Sequence, residues 1–559
     1  MKTLLSPKQI IISLVLTLGI FSTVSLFAQD PSQALTAEYS RPSLTFFIAT
    51  CPGDNLSSNA AQSAEKIDFS DKYFNHNLSS LKAEMPADFK SKSIEEKKLI
   101  LQDYFKKKGI GREMVAKWFK RGSDGMFDLD YVFQCGMYNA TDQDVLMSEA
   151  SKRGEALLKD AGQNLINKTY LLVMCPKTFA SFDDENKHGW NASYDFFLYK
   201  LEFDNEEVMR FYEIWPYDDD PEEVKKSKIA SFDTTNFNFY YVYSKMDQSA
   251  TAMELKMLTS HPKSSAQLFD DVVEKMYNNA MFSVDKDLEE FRVKADVSGT
   301  HPIRAKIGKK EGLKTDQRYF VYEFVWDDKT GTAGENRKAV VRATGKITDN
   351  RNVATGKSGE SKFYQVYGGT VRQGMLMQQR NDFGISLVGG YEIGDIGGGT
   401  AGLWIRTGFF TRVPSLYVMI DGGFDTGEYN LLQIEDKSID TTKMDDYSFL
   451  RYSVGLGKGI RFARIFELIP YAAWGQESTS NKEYSAIRTN YIKAGGLLGI
   501  SVTHFLSFIG KVNYTAPFGD VTTKRDVSGS ESVTRDFTWT DKFHDREGLS
   551  FMAGIRIEF

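Results

Sequence analysis

From the end of the chain backwards, Phe559, Ile557, Ile555, Ala553, Phe551 and Leu549 are apolar, and Glu558, Arg556, Gly554, Met552 and Ser550 stand between them. This period-two alternation predicts a strand with one apolar face and one polar or small face. Seven earlier segments show the same pattern, near Gly384–Ile393, Ala401–Phe410, Ser415–Phe424, Tyr447–Gly457, Ile465–Gly475, Tyr491–Val502 and Phe505–Ala516. In the last of these, Leu506, Phe508, Gly510, Val512 and Tyr514 share one side, while Ser507, Lys511 and Asn513 share the other. Each segment has roughly the 9–11 residues that cross a bilayer at a tilt. Tyr391, Phe409, Phe410, Tyr452, Trp474, Tyr491, Tyr514 and Phe559 fall toward strand ends, where an interfacial girdle sits.

The connections alternate as well. Thr411–Pro414, Lys458–Arg464 and Thr503-His504 are short, whereas Asp425–Asp446 and Pro517–Arg546 are long and polar, and Gln476–Asn490 is intermediate. Short turns on one side and long loops on the other are the rule in transmembrane barrels. Gly394–Thr400 joins two strands rather than a strand and a helix, so it reads as a hairpin loop and not as a phosphate cradle. An interior of eight strands is just filled by side chains. The inward positions Arg406, Asp421, Arg451, Glu467, Lys511, Arg556 and Glu558 are therefore expected to pair as a polar plug.

Upstream the pattern changes. Lys2 and Lys8 precede an apolar run from Ile10 to Phe27 that ends in Ala28-Gln29-Asp30, the form of a secretory signal peptide over residues 1–28. Residues 29–299 read as an α+β domain. Ser93-Ile94-Glu95-Glu96 is a capping box that opens a helix through Leu101 and Phe105 to Gly109. Further helices are expected over Arg112–Phe119, from Thr141 towards Ala161, and over Ser264–Met281, where Leu268, Val272 and Met276 form one stripe. Thr169–Cys175 is almost wholly apolar, as in a strand covered on both faces. Tyr131–Cys135, Phe197–Phe203, Phe237–Tyr243 and Asp287–Val297 read as further strands. From His301, short runs with glycine turns (Ile303–Ile307, Tyr319–Trp326, Ala339–Lys346, Phe363–Tyr367) predict a small SH3-like all-β module over residues 300–380. The fold class is multidomain: an α+β domain, the small module, and a C-terminal eight-stranded antiparallel transmembrane β-barrel over residues 383–559.

Charge and candidate chemistry change this picture little. The net charge of -6, with no basic stripe, excludes a nucleic-acid partner. Cys51, Cys135 and Cys175 are too few for a disulfide framework. Either Cys135 pairs with Cys175, each being next to an apolar strand-like run, or the thiols are free. The six histidines are scattered, none at metal-ligand spacing, so no cofactor or metal is expected. In Asp218-Asp219-Asp220-Pro221-Glu222-Glu223, Asp220 is expected to cap a helix that starts at Pro221. Asp124, Asp128 and Asp130 read as turn residues, and the Phe237–Tyr243 aromatic stripe as core. One constellation would suit an enzyme acting on lipid: His544 beside Asp541 and Asp545, with Ser528, Ser530 and Ser532 upstream.

Residues from about Gly384 to Phe559 resemble the small eight-stranded outer-membrane barrels of the OmpA/OmpX type, a resemblance of pattern that covers the last third of the chain. The "FAQD" signal end and the "RIEF" finish resemble proteins of the Bacteroidetes group. The resemblance implies that Phe559 is the signal read by the barrel assembly machinery and that the last strand ends in the periplasm; the peptidoglycan-binding domain that follows the barrel in some such proteins is not expected, because the barrel pattern runs to Phe559. An even number of strands places both barrel ends on one side, so everything up to Asp382 is expected there too. The expected function is non-enzymatic: an anchor embedded in outer-membrane lipid that holds a large periplasmic scaffold region, with periplasmic proteins or peptidoglycan as partners. A small-solute channel is the alternative, and a lipid-modifying enzyme using His544 a further one.

Overall fold

The computed structural model describes residues 42–75, 78, 82–128, 131, 166–256, 262–327, 332–351, 353, 359–433, 438–480, 487–527 and 531–559. The expected signal peptide, the helix from Thr141, Cys135, Ser528 and Ser530 lie outside these residues. The strand expected over Tyr131–Cys135 is described only at Tyr131, which is helical. Ala37–Glu323 and Arg337–Phe559 form one compact unit, and Phe324–Asn336 belongs to another.

Strand β1 (Ser43–Thr50) is buried along its whole length. Strands β2 (Phe74–Asn75), β3 (Lys82–Glu84) and β4 (Thr169–Asp183) run parallel to it. Strands β5 (Lys187–Leu201) and β6 (Phe239–Leu255) continue the sheet antiparallel, in the order β2-β1-β4-β5-β6. Strands covered on both faces read as continuous apolar runs, as Leu44–Ala49 and Tyr170–Met174 do. Two layers of helices cover them. On one face, α1 (Asn55–Ala64) packs Ala60 and Ala64 against Tyr170, Leu172 and Met174. On the other, α2 (Ile94–Lys108), α3 (Ile110–Trp118), α4 (Asn205–Glu213) and α5 (Glu222–Thr234) bring Phe105, Trp118, Phe211 and Phe232 to Leu171 and Val173. A long helix, α6 (Ser265–Asp287), returns to the first face with Val272, Met276 and Ala280.

Local chemistry sets these boundaries. Ser93 with Glu96, and Ser264 with Gln267, are capping boxes at the starts of α2 and α6. Gly109, with φ 64°, ends α2 and lets α3 begin at Ile110, two residues before the expected start. Pro221 rather than Asp220 is the cap of α5, because the Asp220 carboxylate turns back to Tyr217 N and Lys228. Asp124 and Asp128 accept from Met126 N and Tyr131 N, as turn residues do. Phe237 and Phe239 are core. Cys175 is a buried free thiol and Cys51 is free as well.

The span expected as one strand from Asp287 to Val297 divides: α6 runs to Asp287, a 3-10 turn covers Glu289–Phe291, and only then does β7 (Lys294–Thr300) start. The small module therefore begins before His301. Strands β7, β8 (Ile303–Ala305), β9 (Arg318–Asp327), β10 (Thr332–Ala343), β11 (Ser361–Gly368) and β12 (Leu376–Gln379) form a closed barrel in the order β10-β11-β8-β7-β12-β9. Val297, Tyr319, Val321, Val341, Phe363 and Met377 fill it.

The C-terminal strands are β13 (Ile385–Gly394), β14 (Gly398–Arg406), β15 (Leu416–Gln433), β16 (Ser438–Lys458), β17 (Ile460–Arg461), β18 (Phe466–Ser480), β19 (Ile487–Ser501), β20 (Leu506–Phe518), β21 (Asp520–Val527), β22 (Glu531–Thr538) and β23 (Gly548–Glu558). Eight of them pair antiparallel in a closed ring, β13-β14-β15-β16-β18-β19-β20-β23, which β13 completes by pairing with β23. β17 is a short addition to β18, and β21 and β22 form a hairpin of their own. Among the described residues no helix is long and apolar enough to cross a membrane. Leu387, Leu403, Ile420, Val454, Leu468, Leu498, Phe508, Val512, Phe551 and Ile555 form an exposed apolar row around the ring. Exposed aromatics edge it: Tyr391, Phe424, Tyr452, Trp474 and Tyr514 at one level, and Phe383, Phe462, Phe505 and Phe559 at the other.

The two barrel ends differ. At the near end lie both barrel termini and the turns after β14, β16 and β19. Phe409 and Phe410 belong there to a short helical turn, Gly408–Thr411, rather than to a strand end. At the far end the strands outrun the lipid-spanning length. β15 and β16 have 18 and 21 residues, so much of the span expected as a loop over Asp425–Asp446 is continued strand. Likewise, Pro517–Arg546 holds the β21–β22 hairpin and a short helix at Trp539–Lys542.

Candidate functional site

Alternation along each strand sends every second side chain into the ring, and the interior is filled in layers. At the near end, Glu467 accepts from Arg556 Nη2 at 2.7 Å, Arg461 Nη2 at 3.1 Å and Tyr417 OH at 3.1 Å. Glu558 accepts from Arg406 at 3.1 Å and stands 3.1 Å from Arg556. The Arg406 guanidinium also lies 4.9 Å above the Tyr417 ring. In the middle, Asp421 accepts from Trp404 Nε1 at 2.8 Å and Lys511 Nζ at 3.1 Å, and Tyr471 OH donates to Asn513 at 2.9 Å. Met419, Leu497, Ile509 and Met552 pack around them. Farther out, Glu392 takes Lys493 at 2.9 Å and Arg451 at 3.4 Å. The space left between Glu392, Asp421, Arg451, Tyr491, Lys493 and Lys511 is a cavity of about 20 Å³, room for about one water.

The far mouth is closed by its own packing. Arg546 bridges Asp425 and Glu477, and its guanidinium lies 4.1 Å from the Phe449 ring. Tyr429, Tyr447, Phe449, Ile487, Trp539 and Phe543 make an apolar cluster there. His544 is exposed at this end, with its ring 6.3 Å from that of Tyr429.

The near mouth is closed by the small module. Arg342 on β10 is fully buried; it pairs with Asp382, donates to Asp316 O at 2.8 Å and reaches Glu558 at 3.4 Å. Asp316 accepts from Ser415 N through both carboxylate oxygens at 3.0 and 2.9 Å, and from Tyr364 OH at 2.7 Å. Glycine is required at Gly408, because a Cβ there would stand 2.1 Å from the Asp316 carboxylate. Arg461 and Arg464 donate to Val366 O and Thr370 Oγ1 at 3.3 and 2.7 Å. His504, in the turn between β19 and β20, meets the Phe320 ring edge-on at 5.3 Å. Burial and the nearby Arg337 and Arg318 hold its pKa down to about 4.

All seven interior residues expected from alternation make ion pairs, in separate groups: Arg406, Glu467, Arg556 and Glu558 at the near end, Lys511 with Asp421 in the middle, and Arg451 with Glu392 farther out, alongside charged residues not singled out beforehand. Those are Glu392, Lys493, Arg461, Glu477 and Arg546 inside the barrel, and Arg342, Asp382 and Asp316 below it. Phe559 bonds through its backbone to Ile385 O at 2.9 Å and to Phe383 N at 3.0 Å, which ties the end of the chain to the first barrel strand. Among the described residues no group of His, Cys, Asp and Glu is placed to hold a metal ion.

No family model matches the chain, and no curated protein matches it. Among solved structures, a major outer membrane protein from Thermus thermophilus is 12% identical over 31% of this chain and 98% of that one, with a TM-score of 0.24. Ail, the attachment invasion locus protein of Yersinia pestis, is 13% identical over 31% and 96%, with a TM-score of 0.16. The outer membrane protease OmpT from Escherichia coli is 12% identical over 48% and 97%, with a TM-score of 0.17. These low scores add no argument of their own. The closed strand ring, the exposed apolar row and its two aromatic edges establish that the C-terminal region has the fold of an outer-membrane β-barrel.

Proposed function

We propose that the chain is a closed outer-membrane anchor that presents its docked α/β and small β modules to the periplasm, without conducting solutes and without catalysing a reaction. The observation that carries this reading is the contact of Arg342 with Glu558: the soluble region is bonded into the barrel interior rather than tethered beside it. A channel needs a continuous aqueous path, and here paired charges fill the lumen while packing closes both mouths. The exposed His544 gets no catalytic role in this reading. Orientation follows from the rule that periplasmic turns are short and outer loops long, since the longer excursions lie opposite the soluble modules. What the anchor presents is the α/β domain, to a periplasmic protein or to peptidoglycan.

Two single-cysteine substitutions test the orientation. Glu428→Cys lies on the far extension of β15, and Lys226→Cys on the exposed side of α5. A maleimide that cannot cross membranes should label the first and not the second on sealed cells, with the parental chain as blank. Labelling of Lys226→Cys on sealed cells would put the soluble modules outside and overturn the reading.

A further inference from the structure

Phe383, Phe505 and Phe559 lie side by side where the barrel meets the small module, each about half exposed. Backbone bonds hold them together: Phe383 N donates to Phe559 O at 3.0 Å, and Glu558 N to Phe505 O at 2.8 Å. They sit at the near ends of β13, β20 and β23, which are neighbours in the ring. They therefore continue the apolar row of Leu387, Phe508 and Ile555 to its near edge.

Cations lie directly behind them. The guanidinium carbons of Arg318, Arg337 and Arg380 stand 5.7, 4.9 and 5.8 Å from the centre of the Phe320 ring. His504 bridges this group to the membrane edge, with its ring 5.3 Å from Phe320 and 5.0 Å from Phe505. On the other flank, Lys286 lies 4.8 Å over Phe383, and Arg292 donates to Lys286 O at 2.7 Å. Near Arg292, Asp287 and Glu289 bring negative charge, which Lys245 and Lys294 also hold. Asp382 stands 3.6 Å from Arg318 but is held more closely by Arg342. Among the described residues, neither Arg337 nor Arg380 has a carboxylate within salt-bridge distance.

We infer that this face binds the phosphate headgroups of anionic phospholipids in the leaflet around the near end of the barrel. Guanidinium groups match phosphate oxygens in a two-pronged geometry, and aromatic rings at the same level settle at the boundary between hydrocarbon and headgroups. The three phenylalanines take the acyl chains just below the headgroup, and the cations take its charge. This rests on the reading that the barrel is inserted in a bilayer.

The test uses the full chain in vesicles of equal parts phosphatidylcholine and phosphatidylglycerol. After mild detergent extraction, the lipids that stay bound are counted by mass spectrometry. Phosphatidylglycerol should be enriched at least about fivefold, the effect of one arginine near an anionic surface. The enrichment should disappear in Arg337→Ser/Arg380→Ser and persist in Lys226→Ser. Equal retention of the two lipids, or enrichment that survives the double substitution, overturns the inference. Displacement of the bound lipid by millimolar inorganic phosphate would make the ligand a free anion and also overturn it. Mobility on unboiled gels reports barrel folding separately: without a shift the insertion reading fails and the inference with it, whereas a shifted band without lipid preference overturns the inference alone.

Discussion

Arg342 on the small module and Glu558 on the last barrel strand meet at 3.4 Å across 216 residues of sequence. Glu558 is held at the same time by Arg406 and Arg556 from inside the barrel. The near-end group of ion pairs inside the barrel thus continues into the module beneath it, where Arg342 pairs with Asp382.

Arg342→Met should loosen the module from the barrel mouth without unfolding the barrel. Removing one partner of a buried pair costs about 3–5 kcal/mol. Among the described residues Asp382 would keep Arg318, at 3.6 Å, while Glu558 keeps two arginines. Limited proteolysis should cut the variant between the module and β13 faster than the parent, with the unboiled gel shift unchanged. Equal cutting rates would count against the docking role of Arg342.

Arg556→Leu should destabilise the barrel itself. Arg556 is 0% exposed and serves both Glu467 and Glu558. The expected loss is again about 3–5 kcal/mol, read as a lower urea midpoint for loss of the gel shift. Val512→Ala, on the lipid-facing row, should lower it far less, because that side chain faces an apolar solvent whether large or small. Equal losses in the two variants would contradict a charge-paired interior.

Docking should weaken in acid. The His504 pKa is lowered from 6.5 to about 4, so between those values the undocked protein binds more protons than the docked one. Stability of the docked form therefore falls as pH drops through that window, and its His504 contribution is whole above about 6.5. Proteolysis between the module and β13 should accelerate from pH 7 to pH 4.5 in the parent. His504→Asn, which cannot take up a proton, should flatten that profile.

Much of this architecture was legible in advance, and the reasons are local. Phe508, Val512 and Tyr514 alternate with Ser507, Lys511 and Asn513 because one side meets lipid and the other the lumen. The same signal marked Glu392 between Tyr391 and Ile393, and Lys493 between Ile492 and Ala494, though neither was singled out. Beyond the lipid, alternation stops carrying information: the outer halves of β15 and β16 read as loop, although their ladder continues and Tyr429 and Tyr447 pack against Phe543. Phe409 and Phe410 looked like strand ends because their apolarity continues past Arg406, where the chain instead turns helically under Asp316. Arg342 could not be found at all. It stands in an apolar run, Val340-Val341-Arg342-Ala343, and its partners are supplied by remote parts of the chain.

Conductance tests the central claim most directly, because a lumen closed by ion pairs and capped at both mouths leaves no path for ions. The full-length protein in a planar bilayer should show no steady single-channel current. Arg342→Met should remain closed too, since the layers around Glu467, Asp421 and Glu392 persist without the module. A large, steady unitary conductance from the parent protein would contradict the closed anchor and make the barrel a channel.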